Sequence, residues 1–108
     1  MDRTDRIAEE IKKELSSMLQ NGIKDPRVTG LISITKVTVT KDLKYCKVFV
    51  SIFSEDKASV LSGIKSGAGF MRKELSTRIK IRTIPELQFV LDDSMEYGAH
   101  IDEVLRKL

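Results

Sequence analysis

Two glycines, Gly67 and Gly69, interrupt a stretch of sequence that is otherwise helical in its pattern, and basic residues stand on both sides of them. Each glycine in a helix interior costs roughly 1 kcal/mol relative to alanine, so a chain that keeps two of them this close uses the break. Two uses fit: a turn between two packed helices, or a place where another backbone approaches closely. The cations Lys65, Arg72 and Lys73 favour the second use, with a polyanion as the partner.

The hydrophobic periodicity on either side of this break predicts a small α+β domain. Helical spacing predicts helices over 4–20, from 57 to the glycine break, over 68–80 and from 94 onward, and alternation predicts strands over 32–40, 45–52 and 85–91. Between Ile34 and Val37 the apolar phase shifts, so either the first strand begins near Lys36 or a bulge absorbs one residue. The order α-β-β-α-α-β-α indicates one domain over 1–108, with helices on one face of a three-stranded sheet.

Charge is distributed unevenly along the chain. Residues 57–82 carry seven basic residues against one acid, a net +6, whereas residues 83–108 carry a net −4 and residues 1–56 a net +1. On the helix over 68–80, one arc of the surface contains no acid, and it is formed by Arg72, Lys73, Ser76, Thr77 and Lys80. A basic segment beside an acidic tail predicts an oriented polyanion partner, and a merely solvated charged face is the alternative.

Residues suited to catalysis or metal binding are scarce. The chain has one cysteine, Cys46, and one histidine, His100, which excludes an intrachain disulfide and argues against an ordinary zinc site. The phase of Cys46 in its strand predicts a small buried hydrophobe, and Asp92-Asp93 stands where a strand gives way to a helix, as capping residues do. No phosphate-binding glycine loop, signal peptide or membrane span is apparent. We expect a cytoplasmic protein with no enzymatic activity, cofactor or metal; a small hydrolase using Asp92 or His100 is a remote alternative.

Four motifs follow one another along nearly the whole chain. They are Asp25-Pro26-Arg27, then Val37 to Asp42 with Lys47-Val48, then Gly69-Phe70 with Arg72 and Leu75, and finally Arg82-x-x-Pro85-Glu86-Leu87-x-Phe89-x-x-Asp92-x-Ser94. Together they resemble the ribosome-binding factor A family. The resemblance implies a type II KH-like fold in which an Ala-x-Gly kink replaces the Gly-x-x-Gly loop, and here Gly67 stands at the first position of that kink.

The same resemblance implies a non-catalytic bacterial assembly factor. It would bind the free small (30S) ribosomal subunit, assist late maturation of 16S rRNA including its 5′ end, and support growth in the cold. We expect a monomer whose partners are the 30S subunit and 16S rRNA, with no membrane association.

The predicted RNA contacts centre on the glycine break and the helix that follows it. They are Lys65, Gly67, Gly69, Arg72, Lys73, Ser76, Arg78, Lys80 and Arg82, with a secondary contact at Lys24, Asp25 and Arg27. For that secondary contact, an ordered loop held by an Asp25 cap and an Arg27 ion pair is an equal alternative. Few exposed aromatics are expected, which favours recognition of RNA shape. The alternative function is a protein-interaction module whose basic face docks an acidic partner.

Overall fold

The computed structural model describes residues 2–92, and within them the predicted order of elements is confirmed. The elements are α1 (Arg3–Gln20), β1 (Leu31–Val39), β2 (Tyr45–Phe53), α2 (Lys57–Ser66), α3 (Ala68–Arg78) and β3 (Glu86–Leu91). The predicted final helix from residue 94 and His100 lie outside the described residues. The α+β class is confirmed.

One three-stranded sheet runs in the order β1-β2-β3. β1 and β2 form an antiparallel hairpin, and the register shifts between Ile34 and Lys36, which confirms the bulge rather than the late strand start. β2 and β3 are parallel, with Val48 opposite Phe89. A parallel pair needs a long crossover connection, and α2 and α3 supply it.

The hydrophobic core lies between the helices and one face of this sheet. Alternate residues of β2, namely Cys46, Val48, Val50 and Ile52, are buried, as are Ile7, Ile11, Leu15 and Met18 at helical spacing on α1. Cys46 is fully buried, and this burial raises the pKa of its thiol to about 12. Its predicted role as a small buried hydrophobe is confirmed.

The ends of α1 and α3 set the geometry of the surface described below. The predicted stop of α1 is confirmed, because Asn21 caps the helix and Gly22 follows with a φ of +92°. α3, however, ends at Arg78, two residues before its predicted end. Ile79 adopts extended backbone with a φ of −117° and packs into the core. Lys80 therefore lies beyond the helix, and its predicted place on the helical face is wrong.

Candidate nucleic-acid interface

The glycine break joins α2 to α3 without an unusual backbone. Gly67 caps both helices with a φ of −88° and a ψ of 1°. A Cβ at Gly67 would meet its neighbours at 3.5 Å or more, and a Cβ at Gly69 would meet nothing within 4 Å. Neither packing nor a positive φ requires glycine at these positions. The surface at Gly69 is therefore open to a partner.

A shallow depression runs beside Gly69, between α3 and the loop before β3. We name it the α3 depression; it has a volume of about 290 Å³ and is lined by Gly69, Arg72, Lys73, Ser76, Thr83 and Ile84. No acid is among these residues. The structure thus brings four of the predicted contact residues together around an acid-free concavity, which suits a phosphate backbone.

A second concavity adjoins the first and shares Arg72, Thr83 and Ile84 with it. This basic cleft has a volume of about 420 Å³, and its ionisable lining residues are Arg3, Lys44, Arg72, Arg82 and Asp42. The Asp42 carboxylate accepts hydrogen bonds from the Thr40 hydroxyl at 2.6 Å and the Lys44 amide at 3.0 Å, which lower its pKa. One ionised acid against four cations leaves the cleft positive. The predicted residue Arg82 belongs here.

Arg3 and Lys44 were not among the predicted contacts. Arg3 begins α1, and the position of Lys44 follows from the parallel pairing of β2 with β3, because parallel strands start at the same edge of a sheet. The amide of Glu86, at the start of β3, donates to the carbonyl of Lys44 at 2.9 Å. This contact places Lys44 beside the segment that carries Arg82. The two predicted helices between the second and third strands were the signal in the sequence for a parallel pair, and hence for the position of Lys44.

Arg72 has a second role that its place on the predicted cationic face did not indicate. Its Nε and Nη2 atoms donate to the carbonyl oxygen of Ile84 at 3.0 and 2.8 Å. The guanidinium therefore fixes the loop before β3 against α3 and shapes both concavities. Replacing Arg72 would alter the surface as well as remove a charge.

The other predicted cations differ in how much of their charge is available. Arg78 donates to Glu14 on α1 at 3.2 Å and to Glu74 at 3.3 Å, so two carboxylates compensate its charge. The amines of Lys65, Lys73 and Lys80 have no hydrogen bond or ion pair with any residue in 2–92.

The loop at Asp25-Pro26-Arg27 is held by its own side chains. Arg27 donates from Nε and Nη2 to the Asp25 carboxylate at 3.1 and 2.7 Å, and its backbone amide donates to the same group at 2.9 Å. The side-chain hydrogen bonds from Arg27 chiefly lower the pKa of Asp25, to about 2. Nη2 of Arg27 also donates to the Ser66 hydroxyl at 2.9 Å. The predicted Asp25 cap and Arg27 ion pair are therefore both present, and the secondary RNA contact stays a prediction.

This loop sits against α2 at Gly63, a residue that the sequence analysis did not single out. A Cβ at Gly63 would lie 2.7 Å from Cγ2 of Val28 and 3.3 Å from Cβ of Arg27. The absent side chain lets the loop approach the helix. No local signal distinguishes Gly63 from Gly67 or Gly69, because the requirement comes from a loop distant in sequence.

Between this loop and the glycine break lies a larger concavity, the kink groove. Its volume is about 850 Å³, and it is lined by Met18, Gly22, Ile23, Lys24, Asp25, Pro26, Arg27, Gly63, Ser66, Gly67, Phe70 and Met71. The groove brings the predicted secondary contact residues next to Gly67. It also contains Phe70, which is 71% exposed and is not among the predicted contacts. The expectation of few exposed aromatics is wrong for residues 2–92, because Tyr45 and Phe53 are exposed as well.

Within residues 2–92 no three His, Cys, Asp or Glu side chains are grouped so that they could hold a metal ion. In the same part of the chain, no helix is both long enough and apolar enough to cross a membrane. The Asp92 carboxylate accepts a hydrogen bond from the Thr35 hydroxyl at 2.6 Å, which links the end of β3 to β1.

The chain is similar to known proteins in both sequence and fold. A family model described as Ribosome-binding factor A matches residues 3–105. The Ribosome-binding factor A of Acetivibrio thermocellus is 51% identical over 109 residues, covering 99% of this chain and 89% of that protein.

Solved structures support the same assignment of the fold. The crystal structure of ribosome-binding factor A from Thermus thermophilus superposes with a TM-score of 0.73 at 23% identity, covering 82% of this chain and 93% of the other. A homology model of the Thermus protein, fitted into an electron-microscopy map of its complex with the 30S subunit, has a TM-score of 0.68 at 24% identity, with the same coverage. The fold is therefore KH-like, and the chain belongs to the ribosome-binding factor A family.

Proposed function

We propose that this protein binds the free 30S ribosomal subunit and assists late maturation of 16S rRNA, including processing of its 5′ end, without catalysing a reaction. The observation that carries the proposal is the acid-free α3 depression, with the exposed amine of Lys73 on its rim. Membership of the family and the 30S complex of the Thermus relative support the choice of partner.

The two concavities beside α3 suit the backbone of folded rRNA. Lys73 and Arg82 would neutralise phosphates, while Gly69 lets a sugar or phosphate approach the helix backbone closely. Because such contacts carry little sequence information, the surface would select RNA by its shape.

Binding of this kind acts on rRNA by shifting its conformational equilibrium. A protein that contacts one rRNA conformation better than the others raises the population of that conformation by its differential affinity. No bond needs to be made or broken by the protein. Stabilising a late conformation of the 30S subunit would give processing enzymes access to the 5′ end, and the need would be greatest in the cold.

The proposal is tested with the double variant Lys73→Gln/Arg82→Gln, which removes one cation from the lining of each concavity beside α3 and leaves Arg72 bonded to Ile84. Association with 30S subunits is measured by co-sedimentation across a range of salt concentrations. On a single-strand basis, the slope of log affinity against log salt should fall by about 1.4, roughly 0.7 for each lost phosphate contact. The matched control is Lys12→Gln/Lys13→Gln on α1, outside the lining of the three concavities. It should keep the wild-type slope.

Equal slopes for both double variants would contradict the assigned surface. Partner capture that persists after nuclease digestion and involves an acidic protein would favour the protein-interaction alternative. Maturation is tested in cells that lack the gene: primer extension should show 16S rRNA with unprocessed 5′ ends at low temperature. The wild-type gene should restore processing, and the Lys73→Gln/Arg82→Gln gene should restore it less.

A further inference from the structure

Phe70 is a large apolar residue that the core does not bury. The next residue, Met71, and Leu75 on the same helix are buried, at 3% and 0% exposure, whereas Phe70 is 71% exposed. The ring of Phe49, by contrast, lies within about 6 Å of the amines of Lys36 and Lys47. Phe70 has no ring or cation contact with the rest of the described chain. Its ring is available to a partner.

The groove beside Phe70 is already formed and held in shape. One wall is the 22–27 loop, fixed by the Asp25–Arg27 pair and by the Arg27–Ser66 hydrogen bond at 2.9 Å. The loop approaches α2 closely only because residue 63 is glycine. Apolar side chains, among them Ile23 and Met71, line the interior. A volume of about 850 Å³ lies within the range typical of small-molecule and cofactor sites.

The charge at the rim of the kink groove selects the kind of ligand. Lys24 and Arg27 are its cations, and its one acid, Asp25, is already paired with Arg27. Nη1 of Arg27 has no hydrogen-bond partner among residues 2–92, so it can donate to a ligand. An apolar interior with an anion-binding rim matches a nucleotide, whose flat base is attached to a phosphate.

We propose that the kink groove binds an unpaired base of 16S rRNA, stacked on the ring of Phe70, with the adjoining phosphate at Lys24 and Arg27. This inference rests on the proposed function and adds a single-stranded contact to the shape recognition beside α3. Phe70 borders the groove and Gly69 borders the α3 depression, so the first turn of α3 would separate the two RNA contacts. Base stacking on an aromatic ring tolerates any base, so the site would select an unpaired nucleotide rather than a sequence.

The test compares three substitutions of Phe70 by co-sedimentation with 30S subunits. Phe70→Ala removes the stacking surface, and affinity should fall about 5- to 150-fold, the range that corresponds to one stacked base. Phe70→Leu keeps apolar area without a flat ring and should also lose affinity, whereas Phe70→Trp should retain it. An apolar protein segment would instead accept leucine. Wild-type affinity in the Phe70→Leu variant would therefore overturn the proposal.

The matched control is Phe53→Ala, because Phe53 is 78% exposed and does not line the kink groove. Its affinity should match the wild type, and a loss equal to that of Phe70→Ala would overturn the site. Both positions are exposed, so unfolding midpoints should stay near that of the wild type. A photoreactive phenylalanine at position 70 should crosslink to 16S rRNA. A crosslink to a ribosomal protein, or to a second copy of this chain, would also overturn the proposal.

These outcomes separate the base site from the wider function. Failure of the wild-type protein to co-sediment with 30S subunits would refute the proposed function. Normal co-sedimentation by both the wild type and Phe70→Ala would refute the base site alone.

Discussion

The surroundings of the 22–27 loop and the outer face of α3 each combine a glycine in a helical stretch with a nearby cation. The glycine and cation are Gly63 and Arg27 at the loop, and Gly69 and Lys73 on α3. At the loop, the fold uses both: Gly63 makes room for Val28, and Arg27 is bonded to Asp25 and Ser66. On α3, the fold uses neither: the site of a Cβ at Gly69 is open, and the amine of Lys73 has no partner among residues 2–92.

The difference shows that a glycine or a cation in a sequence does not by itself reveal whether it serves the fold or a partner. Either residue can serve the fold or remain available to a partner, and only the neighbouring atoms distinguish the two. Substitutions at Gly63 and Asp25 should therefore change stability, whereas substitutions at Gly69 and Lys73 should change binding. The opposite result, a change in binding alone at the loop positions and in stability alone at the α3 positions, would contradict this comparison.

The largest expected contrast is between Gly63→Ala and Gly69→Ala. A Cβ at Gly63 would clash with Val28 at 2.7 Å, so this variant should lose about 1–3 kcal/mol of unfolding free energy. Gly69→Ala meets open space in the first turn of α3 and should gain about 0.5 kcal/mol, the lower end of the difference found in helix interiors. Urea unfolding measures both. If Gly69→Ala is stabilised but binds 30S subunits less tightly, the absent side chain serves a partner; destabilisation of Gly69→Ala would contradict the open site.

A smaller contrast is expected between the neighbouring residues Arg72 and Lys73. Arg72→Ala leaves the Ile84 carbonyl without its two hydrogen bonds and should cost about 1–2 kcal/mol. Lys73→Ala removes no contact within residues 2–92 and should stay within about 0.5 kcal/mol of the wild type. Thermal unfolding of the two variants checks this. Equal stability would show that the loop before β3 does not depend on Arg72.

The smallest effect is expected from pH at the loop. The pKa of Asp25 is lowered from its ordinary value of 3.8 to about 2, so its ionised form is favoured by folding. The stabilisation is complete above about pH 4 and is lost as the pH falls through about 2. Asp25→Asn should therefore be less stable than the wild type at pH 7, and the difference should shrink between pH 4 and 2. A difference in stability that is as large at pH 2 as at pH 7 would show that it does not come from the ionised carboxylate of Asp25.

Much of this fold could be predicted because periodicity reports local burial. The alternation of Cys46, Val48 and Val50 predicted a buried strand face, and the shift after Ile34 signalled the bulge. The end of α3 was less predictable, because Ile79 satisfies both a helical pattern and the extended backbone that it adopts. Tertiary packing decided between them.

The candidate site was less predictable than the fold. The sequence places Arg72 and Arg78 with the other cations, but their bonds to Ile84 and Glu14 depend on elements distant in sequence. Lys44 joins the basic cleft only through the pairing of β2 with β3. Charge can be counted along a chain, whereas its availability depends on contacts that only the folded chain makes.

The parallel pairing of β2 with β3 also affects the stage of folding at which the two concavities beside α3 form. The hairpin of β1 and β2 closes a short loop, whereas β3 must pair with β2 across the whole helical crossover, and such long-range contacts form slowly. Thr83 and Ile84, which border both concavities beside α3, lie in the short loop before β3. An incompletely folded chain would thus carry every cation but lack the concave surface. Completion of folding would itself decide when the protein becomes competent to bind.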